Sequence, residues 1–549
     1  MIQRKILIVI PARGQSKGIP RKNLRLMAGK PLISFAIDIA LRIKSKYKAD
    51  VAVDTDDLEI AEVVSGYGVE VVMRPASLAG DDITLDPVIH HTTIEMEARQ
   101  QVKYDIVVTM QATSPTLKYE TVKDALDLFL EREDQDTLIS VTNSPHLSWK
   151  KQQETIVPNY VKRLNRQQLP ADYRETGGFL MTRREFVSES TRFGDKIAVY
   201  EVDNKEAVDI DTDFDWIVCE ALLSSKRIIL RTDGEECLGM GHIYRCLSIA
   251  YHLTGHDILF VTRKNAVLGG EKIKASFFPM KQIEDESDMY EIVREYKPDI
   301  VVNDILNTEK SYMLELRKYV DRIVNFEDMG EGAEYADCVI NAVYEDDKKP
   351  NHYTGFEYFF IRDEFFEVVP KKFNDEVKNI VILFGGSDPS NLTGKTYEIF
   401  QEISEMFPQI EFHIITGFGY RYKNQISDDL EHHIYIHNDV KLVSRYLQKA
   451  DLAITSQGRT IYELAYMGVP TIVLAQNKRE TEHIFASMTN GFINLGVGDQ
   501  IEKDTIKNTI EWLIHTPMVR REMRELQLSK DYSNGQKKVL KLILGGDYV

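Results

Sequence analysis

At 549 residues the chain exceeds what one hydrophobic core supports, since cores stop growing near roughly 250–300 residues and longer chains divide. A composition of 43% hydrophobic and 28% charged residues excludes low-complexity and collagen-like architectures. The formal charge of -18 argues against nucleic acid or an anionic membrane as a partner, so any phosphate chemistry must rely on a local basic cluster.

The opening apolar run, Ile6 to Ile10, is too short for a signal segment, and nowhere does the chain reach the about 18 apolar residues of a membrane span. Four cysteines (Cys219, Cys237, Cys246, Cys338) lack CxxC spacing, which points to neither zinc nor disulfides and fits a reduced cytoplasm. From Lys5 to Thr182, Val- and Ile-rich runs alternate with amphipathic stretches: KILIVIPA, ADVAVDTDD, YDIVVTMQATSP, DTLISVTN and GGFLMT. That alternation predicts an α/β fold with a mostly parallel sheet, and apolar spacing near 3.6 predicts helices over 32–43 and 122–132. The pattern breaks near Ser224-Ser225 and restarts at RIILRTDG. It restarts again after KKFNDEVKN with NIVILFGGSD, giving expected domains of 1–225, 226–370 and 371–549. The last two read as Rossmann-like subdomains facing a cleft, with ligands beyond the carboxyl ends of the strands.

The densest chemical signal is the loop from Ile10 to Asn23, which follows the first strand. It holds Gly14 and Gly18 and the cations Arg13, Lys17, Arg21 and Lys22. Glycines let backbone approach a ligand and the cations suit a triphosphate, although a surface turn is the competing reading. The loop matches neither GxxxxGK[ST] nor GxGxxG. Far downstream, Asp209 and Asp211 read as alternate residues of a strand, facing one way and able to share a hard cation. Capping of a helix near Phe214 is the bland alternative.

This loop, with Arg74-Pro75, Leu78-Ala79-Gly80-Asp81, Gln111-Ala112-Thr113-Ser114-Pro115 and Asp209-Ile210-Asp211-Thr212, resembles the CMP-N-acetylneuraminate synthetase (acylneuraminate cytidylyltransferase) family. The resemblance implies a Rossmann-like nucleotidyltransferase domain that joins CTP to a nonulosonic acid with Mg2+. Ala12, Arg13, Ser16, Lys17, Arg21, Lys22, Asn23 and Arg74 would hold CTP, Gln111 the nonulosonate, and Asp209 and Asp211 the metal. Arg13 and Asp211 would act in catalysis. It also implies a homodimer. A 3-deoxy-manno-octulosonate cytidylyltransferase is the nearest alternative.

In the second half, Arg231-Thr232-Asp233-Gly234 through Gly239-Met240-Gly241-His242 reads as a strand, a turn and a helix start. His242 there faces the positive end of the macrodipole, which favours a neutral ring; a structural histidine is the bland reading. Gly385-Gly386-Ser387-Asp388 and Ser456-Gln457-Gly458-Arg459-Thr460 offer backbone N–H groups at helix starts for a diphosphate. Together these resemble the pseudaminic-acid-pathway UDP-sugar hydrolase and its spore-coat polysaccharide relatives, a branch of the GT-B fold. The resemblance implies His242 as a water-activating base beside Gly241. It also implies UDP-sugar contacts from Gly241, Gly385, Gly386, Ser387, Gln457, Gly458 and Thr460, Glu463 on the ribose, and Asn477 near the sugar. Thr460 and Glu463 equally form the spacing of a capping box. Asn303-Asp304-Ile305-Leu306 departs from the hydrolase pattern by lacking a tyrosine two positions after the aspartate. A glycosyltransferase and a silent binding module are the alternatives. Hydrolysis and CTP activation are not consecutive, so a condensing nonulosonate synthase is an expected partner.

Overall fold

The computed structural model describes residues 4–16, 18–80, 82–234, 239–344 and 349–546; Lys17, Asp81 and Cys237 lie outside the described residues. The chain divides into two compact units, Met1–Ser225 and Lys226–Val549.

The first unit is built on a seven-stranded sheet. Its strands in chain order are β1 (Ile6–Pro11), β2 (Asp50–Thr55), β3 (Glu70–Met73), β4 (Ile106–Met110), β5 (Thr137–Asn143), β6 (Tyr173–Arg183) and β7 (Ile197–Glu201). They lie in the order β7-β5-β6-β4-β1-β2-β3, with β6 antiparallel to both its neighbours. Central β1 is covered on both faces, which is why it is a continuous apolar run rather than an alternating one. The helices predicted from spacing form over Leu32–Tyr47 and Tyr119–Glu131. Strand β6 breaks register between Glu175 and Leu180, where Gly177 takes φ 70. Such a bulge kinks the strand and re-aims the chain at that point.

The second unit holds two parallel sheets. The first comprises β8 (Arg227–Thr232), β9 (Asp257–Arg263), β10 (Met280–Ile283), β11 (Ile300–Asp304), β12 (Arg322–Phe326), β13 (Cys338–Asn341) and β14 (His352–Thr354), ordered β10-β9-β8-β11-β12-β13-β14. The second comprises β15 (Asn379–Leu383), β16 (Glu411–Thr416), β17 (Ile434–Asn438), β18 (Leu452–Thr455), β19 (Thr471–Ala475) and β20 (Phe492–Val497), ordered β17-β16-β15-β18-β19-β20. Strand order reverses between β8 and β11 and again between β15 and β18, and a crevice opens at the carboxyl ends there.

These sheets exchange material across the expected boundary at residue 370. Phe359, Ile361, Phe365 and Val368 pack with Val381 and Leu383 of the second sheet. The terminal helix Gly535–Leu544 returns to the first, placing Val539, Leu540, Ile543 and Leu544 against Ile228 and Leu230. Arg322 secures it by donating to the carbonyls of Ile543 (2.9 Å) and Leu542 (2.6 Å). Apolar faces that neither sheet could bury alone are thereby covered. Among the described residues no helix is long and apolar enough to cross a membrane.

Candidate active sites

In the first unit, the loop after β1 and the turn after β4 leave the sheet at its reversal point, so sequence-distant groups meet there. Ala12 is buried and donates its N–H to the Asp54 carbonyl (2.8 Å), and the Gly14 N–H donates to Asp56 (2.9 Å). Asn23, also buried, closes the loop by donating to the Arg13 carbonyl (3.0 Å). Arg13 and Ser16 lie half-buried along it.

The far end of the loop meets the distant aspartates. Lys22 donates to the Ile210 carbonyl and stands 3.5 Å from the Asp211 carboxylate. Gly18 packs so tightly on this segment that a Cβ there would come within 2.3 Å of the Asp211 carbonyl oxygen. Asp209 reaches the turn after β4: a Cβ on Gly177 would lie 2.8 Å from Asp209 Oδ2 and 3.3 Å from Gln111 Nε2. The Ile210 N–H donates to the Thr113 carbonyl (2.9 Å), fixing the approach. Asp209 and Asp211 do not lie in a strand; they belong to an extended connection before the helix Asp213–Leu223. That helix is capped by Thr212 and Asp215, which leaves the two aspartates unneeded as caps.

Two cations differ from their expected placement. Arg74 is turned inward, its side chain 6% exposed and its Nε donating to buried Asp54 (2.5 Å), which also accepts from Thr92 (2.9 Å). Burial raises Asp54's pKa, and Arg74 opposes that rise. Arg21 pairs with Glu59 at the surface.

Asp209 tests whether a hard cation fits. Burial pushes its pKa up, the Thr113 hydroxyl opposes this, and Asp211 pushes it further up. Its Oδ1 is buried without a hydrogen-bond partner. A divalent cation would relieve both the orphaned oxygen and the like-charge pair, and Mg2+ is typically bound by one or two carboxylates plus phosphates and water. Asp209 and Asp211 therefore fit the group.

In the second unit, a cavity of about 580 Å³ lies between the two sheets, lined by His242, Glu327, Arg362, Ser387, Arg459 and Glu480 among others. Gly241 and His242 open the helix that follows β8, and Asp304 ends β11, in register with Thr232. His242 Nδ1 and Asp304 Oδ1 are 2.5 Å apart, and Arg245 brackets the same carboxylate at 2.7 and 2.5 Å. Burial alone would raise Asp304's pKa, but Arg245 and His242 outweigh it and hold the group well below the usual carboxylate range. An ionised Asp304 can accept a hydrogen bond from Nδ1–H, the arrangement that in a neutral ring puts the lone pair a base requires on Nε2. Arg245 also pairs with Glu327, which accepts from Arg459 (2.9 and 3.0 Å), so an ionic chain runs from His242 to the second sheet.

The loops after β15 and β18 face this group. Gly385 takes φ 81, and a Cβ on Gly386 would collide with Met240 Cβ at 2.8 Å. Ser387 is buried. Asp388 takes the Leu392 and Thr393 N–H groups of the next helix (3.0 and 2.8 Å), so that helix start is already satisfied. No side chain caps the helix Thr460–Met467. The capping box does not form, because Thr460 is already helical and Glu463 is held by Arg362 (2.8 and 3.0 Å) in the cavity wall. Gln457 donates to the His483 carbonyl (2.6 Å) and its Oε1 is buried without a partner. Gly458 and Asn477 line the cavity, and Asn477 accepts from the Glu480 N–H (3.1 Å).

Sequence reasoning assigned no role to Asp304, Arg245, Glu327, Arg362 or Glu480. Arg245 stands three positions after His242 on one helix face, and Asp304 ends a strand at a reversal point; both signals were available.

A basic glycine-bearing loop, a bulged mixed sheet and two aspartates on the segment that the loop meets define a nucleotidyltransferase-type α/β unit, followed by a unit of two parallel sheets. The cytidylyltransferase family model matches residues 7–238. The chain is 33% identical over 232 residues to the CMP-N,N'-diacetyllegionaminic acid synthase of Legionella pneumophila, covering 40% of this chain and 96% of that one. It is 33% identical over 225 residues to N-acylneuraminate cytidylyltransferase A of Danio rerio, covering 40% of this chain and 50% of the relative. The chain belongs to the cytidylyltransferase family through this half. It spans about half the length of the zebrafish relative. A crystal structure of Acinetobacter baumannii MurG aligns with 58% of this chain and 99% of its own at 14% identity and a TM-score of 0.44.

Proposed function

We propose that the first unit activates a nonulosonic acid with CTP, forming the CMP-sugar and pyrophosphate. The observation that carries this is the meeting of the loop at Gly18 and Lys22 with Asp211, beside Asp209 and Gln111. The Legionella and zebrafish relatives support the substrate class by what they are named for. The anomeric hydroxyl attacks the α-phosphorus and the bond to the departing pyrophosphate breaks, a task of positioning and charge neutralisation. Lys22 orients Asp211, Asp209 and Asp211 would hold Mg2+, and Gln111 would orient the sugar. When bound, Mg2+ supplies charge neutralisation on the phosphates. The test offers a panel of sialic, legionaminic, pseudaminic and 3-deoxy-manno-octulosonic acids with CTP and Mg2+ and measures pyrophosphate; consumption of none overturns the reading.

For the second unit we propose hydrolysis of a UDP-linked diacetamido-trideoxyhexose. His242, oriented by Asp304, would take a proton from the water that attacks the anomeric carbon as the bond to UDP breaks. A glycosyltransferase is the second reading, favoured by Leu306 lining the cavity where the hydrolase pattern carries tyrosine. Incubating UDP-sugars with and without an acceptor separates them, because only a hydrolase frees sugar without one. A homodimer, a condensing-synthase partner and a cytoplasmic setting belong to the same proposal.

A further inference from the structure

The acidic side chains around the second unit's cavity differ in how they are neutralised. Glu327 is paired with Arg245 and Arg459, and Glu463 with Arg362. Asp388 accepts two helix N–H groups and the Gln476 side-chain amide (2.7 Å). Glu480 has no ion pair among the described residues. Its Oε2 accepts the Gln476 N–H (2.8 Å), and the Gln457 backbone donates to it as well. Nearby cations are committed elsewhere: Arg459 to Glu327 and to the Gly241 carbonyl (2.7 Å), Arg479 to the Tyr344 hydroxyl (3.1 Å). His483, across the same turn, is engaged with the Gln457 carbonyl.

Its place in the cavity matters for an anion. Oε1 faces Gly458, where a Cβ would lie 3.8 Å away, immediately before the uncapped helix Thr460–Met467. Arg459 ties this spot to Gly241, the residue before His242. A carboxylate here would repel a diphosphate, while a carboxylic acid would donate to it.

We propose that Glu480 receives the diphosphate of a nucleotide sugar as an uncharged carboxylic acid, donating its proton in a hydrogen bond to a phosphate oxygen, so that ligand binding takes up a proton at this residue. The proposal rests on the reading that the cavity binds a nucleoside-diphosphate sugar. Burial pushes Glu480 up, the Gln476 and Gln457 N–H groups oppose this, and Asp388 adds to the rise, bringing it to about 7. Near neutrality, then, the free protein carries the proton on only part of its molecules, and an arriving anion completes the protonation.

The test is calorimetric titration of the full chain with UDP-N-acetylglucosamine, whose diphosphate has no titrating group between about pH 6 and 8.5, in buffers of different ionisation enthalpy. The wild type is expected to take up a proton above about pH 7 and to lose affinity by up to about tenfold per pH unit. Glu480→Gln, which keeps a carbonyl oxygen for the backbone donors, is expected to bind without uptake and with a flat profile. Binding without proton uptake by the wild type overturns the role of Glu480 whatever the variant does, as do equal slopes in the two proteins. Absence of binding by either protein at every pH overturns the cavity reading as well.

Discussion

Lys22 Nζ stands 3.5 Å from Asp211 Oδ1, joining the loop after the first strand to a segment near the end of the same unit. The lysine is nearly buried and the aspartate 78% exposed. Asp211 therefore contributes little to folding, since an exposed ion pair is worth about 0–1 kcal/mol. Its carboxylate is available for a cation and a triphosphate.

Asp211→Ala is expected to leave the thermal midpoint near that of the wild type and to reduce CTP-dependent pyrophosphate release by about a hundredfold or more, the scale of losing a metal-held transition-state charge. Pyrophosphate assay and melting on one preparation check both halves. Normal turnover would remove Asp211 from the metal site.

Gly18→Ala tests the same junction from the other side. The added methyl meets backbone at 2.3 Å, the Asp211 carbonyl oxygen, so no side-chain rotation relieves it. The loop must move away, which costs about 1–3 kcal/mol and separates Lys22 from Asp211. The expected outcome is a raised KM for CTP with the second unit's UDP release unchanged.

Asp304→Asn should separate positioning from packing in the second unit. The amide keeps the shape but can present its NH2 to His242 Nδ1, selecting the wrong tautomer, and it leaves Arg245 with one carboxylate fewer. UDP release is expected to fall by about 10³–10⁴-fold, the effect of the same exchange in a histidine–aspartate pair. Stability is expected to fall by about 3 kcal/mol, because buried Arg245 loses one of its two carboxylate partners. His242→Gln should also block UDP release, with CTP activation untouched. A kcat–pH profile for Asp304→Asn that keeps the wild-type limb and height would refute orientation through Asp304.

The legible parts of this molecule were those written in local periodicity. Strands such as Ile6–Pro11 and Asn379–Leu383 announce themselves as apolar runs because both faces are covered. Motif density likewise marked the loop at Arg13–Asn23. Pairings decided by three-dimensional context stayed hidden: Thr460 and Glu463 have capping-box spacing, but the helix begins one residue too early, at Thr460 itself, and Arg362, from another segment, claims the carboxylate. Arg74 reads as a CTP contact until Asp54 is seen paired with it. Asp209 and Asp211 alternate as strand residues would, yet hydrogen bonding from Ile210 to Thr113 holds them in an extended connection. Chain crossover by Gly535–Leu544 follows from an apolar face whose destination no local pattern states.

A last prediction concerns acid sensitivity at the edge of the second sheet. His413 on β16 and His437 on β17 share a hydrogen bond, Nδ1 to Nε2 at 3.1 Å, which requires at least one ring to be unprotonated. Burial lowers both pKa values; His437 lowers His413 further, while Glu411 opposes and Lys449 adds to the depression. The unfolded chain binds these protons near the ordinary value of about 6.5, so it takes them up before the folded protein does. The associated stability is therefore present above about pH 6.5 and is lost as pH falls through the depressed folded values. Urea midpoints should drop between about pH 7.5 and 5.5, and His437→Gln, which removes one titrating ring and spares its neighbour a like charge, should narrow that drop. An equal drop in the variant would assign the acid sensitivity to other groups.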